Sequence, residues 1–168
     1  HEGLVDRGRA KSPYFRLLVR DPEVLGARTR TDKDIFYNIA SGLPRAEREI
    51  AATAVSRVNG CIFCASVHAR FAAHHSGQAA AVQALLDKGV ENVGEGDLPP
   101  RWLAVAEAAA ALTRTPLSCG ADDMARLRQA GLGDDEVVDV VFASAFFNWA
   151  NRLMLSLGEP QPGADQRG

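Results

Sequence analysis

Pro44-Arg45-Ala46-Glu47-Arg48-Glu49-Ile50-Ala51-Ala52-Thr53-Ala54-Val55-Ser56-Arg57-Val58-Asn59-Gly60 contains the signals for one whole helix, from its start to its stop. Proline is tolerated at a helix start, where its missing N–H costs nothing. Glu47 and Glu49 fall in the early turns, where carboxylates suit the positive end of the helix dipole. Ile50, Ala51, Ala54, Val55 and Val58 recur with a helical period and make one buried stripe. Asn59-Gly60 ends the run, glycine being the usual left-handed stop. A second helix then starts near Cys61 and reaches His74 or His75.

The same reading extends in both directions. Upstream, Ser41-Gly42-Leu43-Pro44 is a break, and before it a weaker helical pattern carries Val24, Leu25, Ile35, Phe36 and Ile39. That pattern opens at Asp21-Pro22, an N-cap followed by proline. Residues 1–20 read as a loose N-terminal arm. Downstream, helices are predicted over Ala79 to Lys88, Pro100 to Thr113, a short stretch capped within Ser118 to Asp123 and stopped at Gly131, and Asp134 to Leu157. Gly89 to Pro100 is rich in glycine, proline and acids and reads as a surface loop. Residues 158–168 read as a flexible tail. No strand alternation appears, so the prediction is one all-α domain over 21–157.

Composition agrees and excludes several classes. The 168 residues are 46% hydrophobic but only 7% aromatic, with alanine and leucine dominant, a bias that favours helices packed closely. A net charge of -2, with Lys and Arg scattered, offers no nucleic-acid or anionic-membrane footprint. The most apolar windows, Trp102–Leu112 and Val137–Ala150, are interrupted by Glu107 and Asp139, so no membrane span is predicted. The low aromatic content and the alanine-rich Ala79–Lys88 and Trp102–Leu112 predict apolar faces covered by other copies of the chain. His1 to Ala10 is polar and unlike a secretory leader, and three cysteines do not make a disulfide scaffold. A cytoplasmic location is the expectation.

The chemistry concentrates in Cys61-Ile62-Phe63-Cys64-Ala65-Ser66-Val67-His68. Cys61 and Cys64 lie one turn apart, as do Cys64 and His68. A pair at that spacing can close a disulfide with little unwinding, and His68 can take a thiol proton. Glu49, one helix upstream, is placed to orient the imidazole. Two thiols can also be merely small buried hydrophobes. A structural zinc site would want a fourth ligand beyond Cys61, Cys64 and His68, so no metal is expected. Helix-end electrostatics favours Cys61 as the reactive thiolate, whereas a base at His68 favours Cys64. The base acts directly on the proton, so Cys64 is preferred. His74-His75 reads as a helix-end interaction, Cys119 as an ordinary thiol, and Asn148, Asn151 and Arg152 as a structural polar cluster.

The run Leu43 to Ala51, Ala54-Val55-Ser56, and Asn59-Gly60-Cys61-x2-Cys64-x3-His68 resembles the core motif of the alkylhydroperoxidase D-like proteins of the carboxymuconolactone decarboxylase superfamily. The resemblance continues more loosely through Ala130-Gly131-Leu132 and Phe147-Asn148-x2-Asn151-Arg152, a closing pattern similar to the peroxidase-related branch. It implies an oligomeric all-α helical bundle and a thiol-dependent peroxidase or disulfide oxidoreductase. By resemblance Glu49 and His68 form a proton relay, Cys64 attacks the peroxide and Cys61 resolves the sulfenic acid as a disulfide. No cofactor is implied, and electrons would come from a lipoyl-bearing or thioredoxin-like dithiol protein. The best-studied members carry a histidine just before the second cysteine; here that position is Phe63, an aromatic that resembles the peroxidase-related branch. The alternatives are a decarboxylase-type lyase, which does not depend on the cysteine pair, and a non-catalytic helical assembly module.

Overall fold

The computed structural model describes residues 12–158. These form eight helices: α1 (Pro13–Leu18), α2 (Pro22–Tyr37), α3 (Arg45–Asn59), α4 (Ile62–Ser76), α5 (Ala79–Lys88), α6 (Pro100–Thr113), α7 (Ala121–Gln129) and α8 (Asp134–Leu157). Among the described residues there is no strand, and no helix is long and apolar enough to cross a membrane. Residues 1–11 of the expected arm and 159–168 of the expected tail lie outside the described residues. The rest of the arm differs from expectation, since it holds α1. A helix this short shows no periodicity in sequence, and it is fixed by contact: Tyr14 is buried with Cys61, Cys64 and Met154.

α3 is the hub, packing against α4, α6 and α8. Ile50, Ala51, Ala54 and Val55 are fully buried, as the helical stripe predicts. Full burial of a Val or Ile side chain contributes about 1.5–3 kcal/mol. The apolar faces of α6 are covered within the chain: Trp102, Val105, Ala106 and Ala108 to Ala111 are all buried. Residues Trp102–Leu112 therefore do not supply the surface for other copies that their composition suggested. The exposed large apolar residues lie elsewhere, including Val138, Phe142 and Trp149 on α8.

Two short connections place the site. Between α2 and α3, Arg48 donates to the carbonyls of Leu43 (2.5 Å), Ile35 (2.6 Å) and Ser41 (2.9 Å) and to Asp139 Oδ2 (2.8 Å). Asp139 Oδ2 also accepts from Leu43 N at 2.8 Å, tying the loop to α8. Between α3 and α4, Gly60 sits at φ 75°, Gly60 N donates to Arg57 O (3.2 Å) and Cys61 N donates to Ser56 O (2.9 Å). That is a Schellman turn, and it delivers Cys61 directly as the residue capping α4.

Candidate active site

Glu49 lies five positions into α3, facing inward, with no exposure to solvent. Burying a carboxylate is costly unless it is paired and hydrogen-bonded. Arg45, one turn earlier on the same helix, donates through Nε to Glu49 Oε1 at 2.6 Å, and its Nη2 lies 2.6 Å from the same oxygen as an ion pair. Arg45 Nη1 donates to the Phe36 carbonyl, and its guanidinium lies 4.2 Å from the Tyr37 ring centroid. The other carboxylate oxygen, Oε2, is 2.5 Å from His68 Nδ1 on α4. A carboxylate at that point assigns the imidazole tautomer: Nδ1 carries the proton, and Nε2 keeps its lone pair for another partner. The ring is held between Phe147, 4.0 Å between centroids, and Phe36, at 5.5 Å.

Cys64 lies one turn before His68 in the first turn of α4 and is 6% exposed. Both residues line a cavity of about 390 Å³, together with Glu49, Arg45, Phe36, Phe63, Phe147 and Met154. Cys61 is fully buried beside Cys64, Tyr14 and Met154 and does not line that cavity. The accessible thiol is thus Cys64, with Cys61 behind it. Between them Ile62 is exposed, at 75%, while the half-exposed Phe63 lines the cavity.

The remaining residues singled out in sequence fall away from the cavity. His74 and His75 are exposed in the last turn of α4, where basic groups suit the helix end. Cys119 lies in the connection before α7, where burial, then the nearby Asp123 carboxylate, raise its thiol pKa. Asn59 Nδ2 donates to Asn148 Oδ1 (3.0 Å) and Asn151 Oδ1 (3.2 Å), while Asn151 donates to Ser56 Oγ (3.1 Å) and Asn148 to Thr113 Oγ1 (3.2 Å). This is a structural network between α3, α6 and α8, and Arg152 is exposed outside it. Among the described residues no three side chains of His, Cys, Asp or Glu converge as a metal site.

Among the cavity side chains that escaped the sequence reading are Tyr14, Arg28, Asp32 and Arg45. Arg45 and Glu49, like Arg28 and Asp32, are i,i+4 pairs of opposite charge. That spacing was the available signal, but most such pairs are solvated surface contacts.

Comparison with known proteins finds similarity in part of the sequence and in the fold. The model of the carboxymuconolactone decarboxylase family matches residues 22–94, which include Glu49, both cysteines of the pair and His68. No curated protein matches. Among solved structures, a peroxidase-related protein from Silicibacter sp. TM1040 superposes with a TM-score of 0.74 at 26% identity, over 94% of this chain and 79% of that one. An alkylhydroperoxidase AhpD core protein from Ralstonia eutropha JMP134, also called peroxidase-related, gives a TM-score of 0.75 at 21% identity, over 89% and 75%. The debrominase Bmp8 shares the fold, with a TM-score of 0.75 at 16% identity over 91% and 78%. Residues 22–94 are thus similar to the carboxymuconolactone decarboxylase family, and the chain as a whole shares the fold of the peroxidase-related, alkylhydroperoxidase D-like structures.

Proposed function

We propose that this chain is a thiol-dependent peroxidase and disulfide oxidoreductase that needs no metal or organic cofactor. The observation that supports it most is the 2.5 Å contact between His68 and the buried Glu49, in the wall of a cavity that Cys64 also lines. His68 Nε2 takes the Cys64 proton, and Glu49, held by Arg45, stabilises the imidazolium that results. The Cys64 thiolate attacks the terminal oxygen of a hydroperoxide. An S–O bond forms as the O–O bond breaks, the sulfur loses two electrons, and the alkoxide leaves as an alcohol with the proton from His68. The Cys61 thiol then displaces water from the Cys64 sulfenic acid and closes a disulfide. A dithiol donor, lipoyl-bearing or thioredoxin-like, returns two electrons and two protons by thiol–disulfide exchange and departs oxidised. Such a cycle belongs in a reducing compartment, and we place it in the cytoplasm. The chain works as a homo-oligomer in this reading. Phe63 stands where the family relay has a histidine, so here the relay consists of His68, Glu49 and Arg45.

Peptide mapping by mass spectrometry, before and after one equivalent of peroxide, tests the assignment. The expected product is one intramolecular bridge between Cys61 and Cys64, with Cys119 untouched. A main bridge that includes Cys119, or a pair that stays reduced under excess oxidant, overturns the assignment. The second outcome would favour the lyase or the non-catalytic module.

A further inference from the structure

The cavity that holds Cys64 contains a second arginine, two of whose three guanidinium nitrogens are unsatisfied. Arg28, on α2, is 8% exposed, yet its Nε and Nη1 find no hydrogen-bond partner among the described residues. Its approach to Asp32 is one Nη1–Oδ2 distance of 3.7 Å, too long for a hydrogen bond. The contrast with Arg45 is direct, since each of its guanidinium nitrogens has a hydrogen-bond or close ion-pair partner. Beside Arg28, the Tyr14 hydroxyl is buried too, in reach of the guanidinium but without a hydrogen bond of normal geometry. Burial first raises the pKa of that phenol, and Arg28 nearby lowers it again in part. A buried guanidinium and phenol with unused donors cost stability, so such an arrangement is expected where a ligand completes it.

We propose that Arg28 and Tyr14 form a carboxylate-binding subsite at the end of the Cys64 cavity, selecting organic hydroperoxides that carry an acid group. The proposal rests on the peroxidase reading for the word hydroperoxide, but the subsite itself depends only on Arg28 and Tyr14. Charge favours a monoanion. In the cavity Arg45 offsets Glu49, and Asp32 stands against Arg28, while Arg70 adds a positive charge at the rim. One added negative charge is matched there; a dianion such as a phosphate monoester would be opposed by Asp32 and Glu49 together. Size and lining point to an organic body. A cavity of about 390 Å³ is far larger than hydrogen peroxide needs, since a water molecule takes about 30 Å³. Phe36, Phe63, Phe147 and Met154 give it apolar walls. The redox step is unchanged: Cys64 takes the terminal oxygen, the alcohol product keeps its carboxylate, and Arg28 and Tyr14 touch only that group.

The test compares cumene hydroperoxide with its para-carboxylate as oxidants of Cys64, followed by stopped flow. The wild-type protein should prefer the acid by about tenfold to a hundredfold, the range of a charge-assisted hydrogen bond. Arg28→Gln should bring the acid-to-neutral ratio close to one, and Tyr14→Phe should lower it by a smaller factor. Equal wild-type rates for the two oxidants overturn the subsite and leave the peroxidase reading standing. A second measurement on the wild-type protein covers variants that fail to fold and does not depend on peroxide chemistry. 4-Isopropylbenzoate and 4-isopropylbenzyl alcohol are compared as protectants of Cys64 against iodoacetamide. The acid should protect at a concentration at least about tenfold lower. If neither hydroperoxide oxidises Cys64 but the acid protects it selectively, the peroxidase reading fails and the subsite stands. Equal protection by acid and alcohol overturns the subsite.

Discussion

Glu49 accepts from Arg45 through one oxygen and meets His68 through the other, so replacing each member perturbs a different property. Glu49→Gln is nearly isosteric and should keep the fold but slow the reaction of Cys64 with peroxide by about 100-fold, the lower part of the range for general-base catalysis. His68→Ala should cost at least as much. The double variant should be no slower than His68→Ala alone, because the two residues act in series. Unchanged Cys64 rates in both single variants would sink the relay and leave a dithiol that exchanges with a protein partner. Arg45→Met addresses stability instead: it strands a buried carboxylate, and the urea midpoint should report a loss of about 3–5 kcal/mol. Adding Glu49→Gln should recover much of that loss, and no recovery would show that Arg45 stabilises the fold through Tyr37 and Phe36 alone. At this scale the sequence was legible where chemistry is local. Cys64 and His68 share one helix face by spacing, and Glu49 belongs to the preceding helix of the same motif. Tyr14 and Arg28 were not legible, because α1 and α2 bring them to Cys64 only through tertiary packing.

Gly42 and Gly60 have nearly the same positive φ, 74° and 75°, yet they play different parts in their elements. A Cβ at Gly42 would sit 2.1 Å from Asp139 Oδ2, the oxygen that holds Leu43 N and Arg48. A Cβ at Gly60 meets nothing within 4 Å. Gly60→Ala should therefore cost only the left-handed strain, about 1 kcal/mol. Gly42→Ala should add the displacement of Asp139 and the loosening of Arg48, for a total of about 3 kcal/mol or more. Chemical denaturation of both variants checks the order, and equal losses would mean that the Asp139 contact relaxes freely. Helix boundaries were legible because proline, glycine and aspartate mark them: Asp21 Oδ1 accepts from Val24 N at 3.1 Å, and α8 spans the predicted Asp134–Leu157. α1 was not legible, and neither was the covering of α6. An alanine-rich helix looks alike in sequence whether its partners are other helices of the chain or other copies.

α8 joins the interior to the outer surface of the whole molecule. Its inner face places Phe147 against His68 in the cavity wall, and the Phe146 ring 5.4 Å from the Arg28 guanidinium. Its outer face leaves Val138, Phe142, Ala145 and Trp149 exposed at spacings of four, three and four, a continuous apolar stripe on one side of a helix. Scattered apolar residues on a surface need no explanation, but an aligned stripe rich in aromatics marks a contact surface. The homo-oligomer expected from sequence is therefore predicted to form through α8 rather than through α6. Light scattering of the wild-type protein should give a defined oligomer at micromolar concentration, with a melting temperature that rises with protein concentration by mass action. Phe142→Glu should place a charge in that interface and reduce the subunit count. The substituted side chain is exposed within the single chain, so helical content should survive. Because α8 also backs His68, loss of the interface should raise the mobility of Phe147 and weaken Cys64 reactivity in the dissociated form. A wild-type protein that stays monomeric at micromolar concentration would rule out the interface, and an oligomer unaffected by Phe142→Glu would place it on another face.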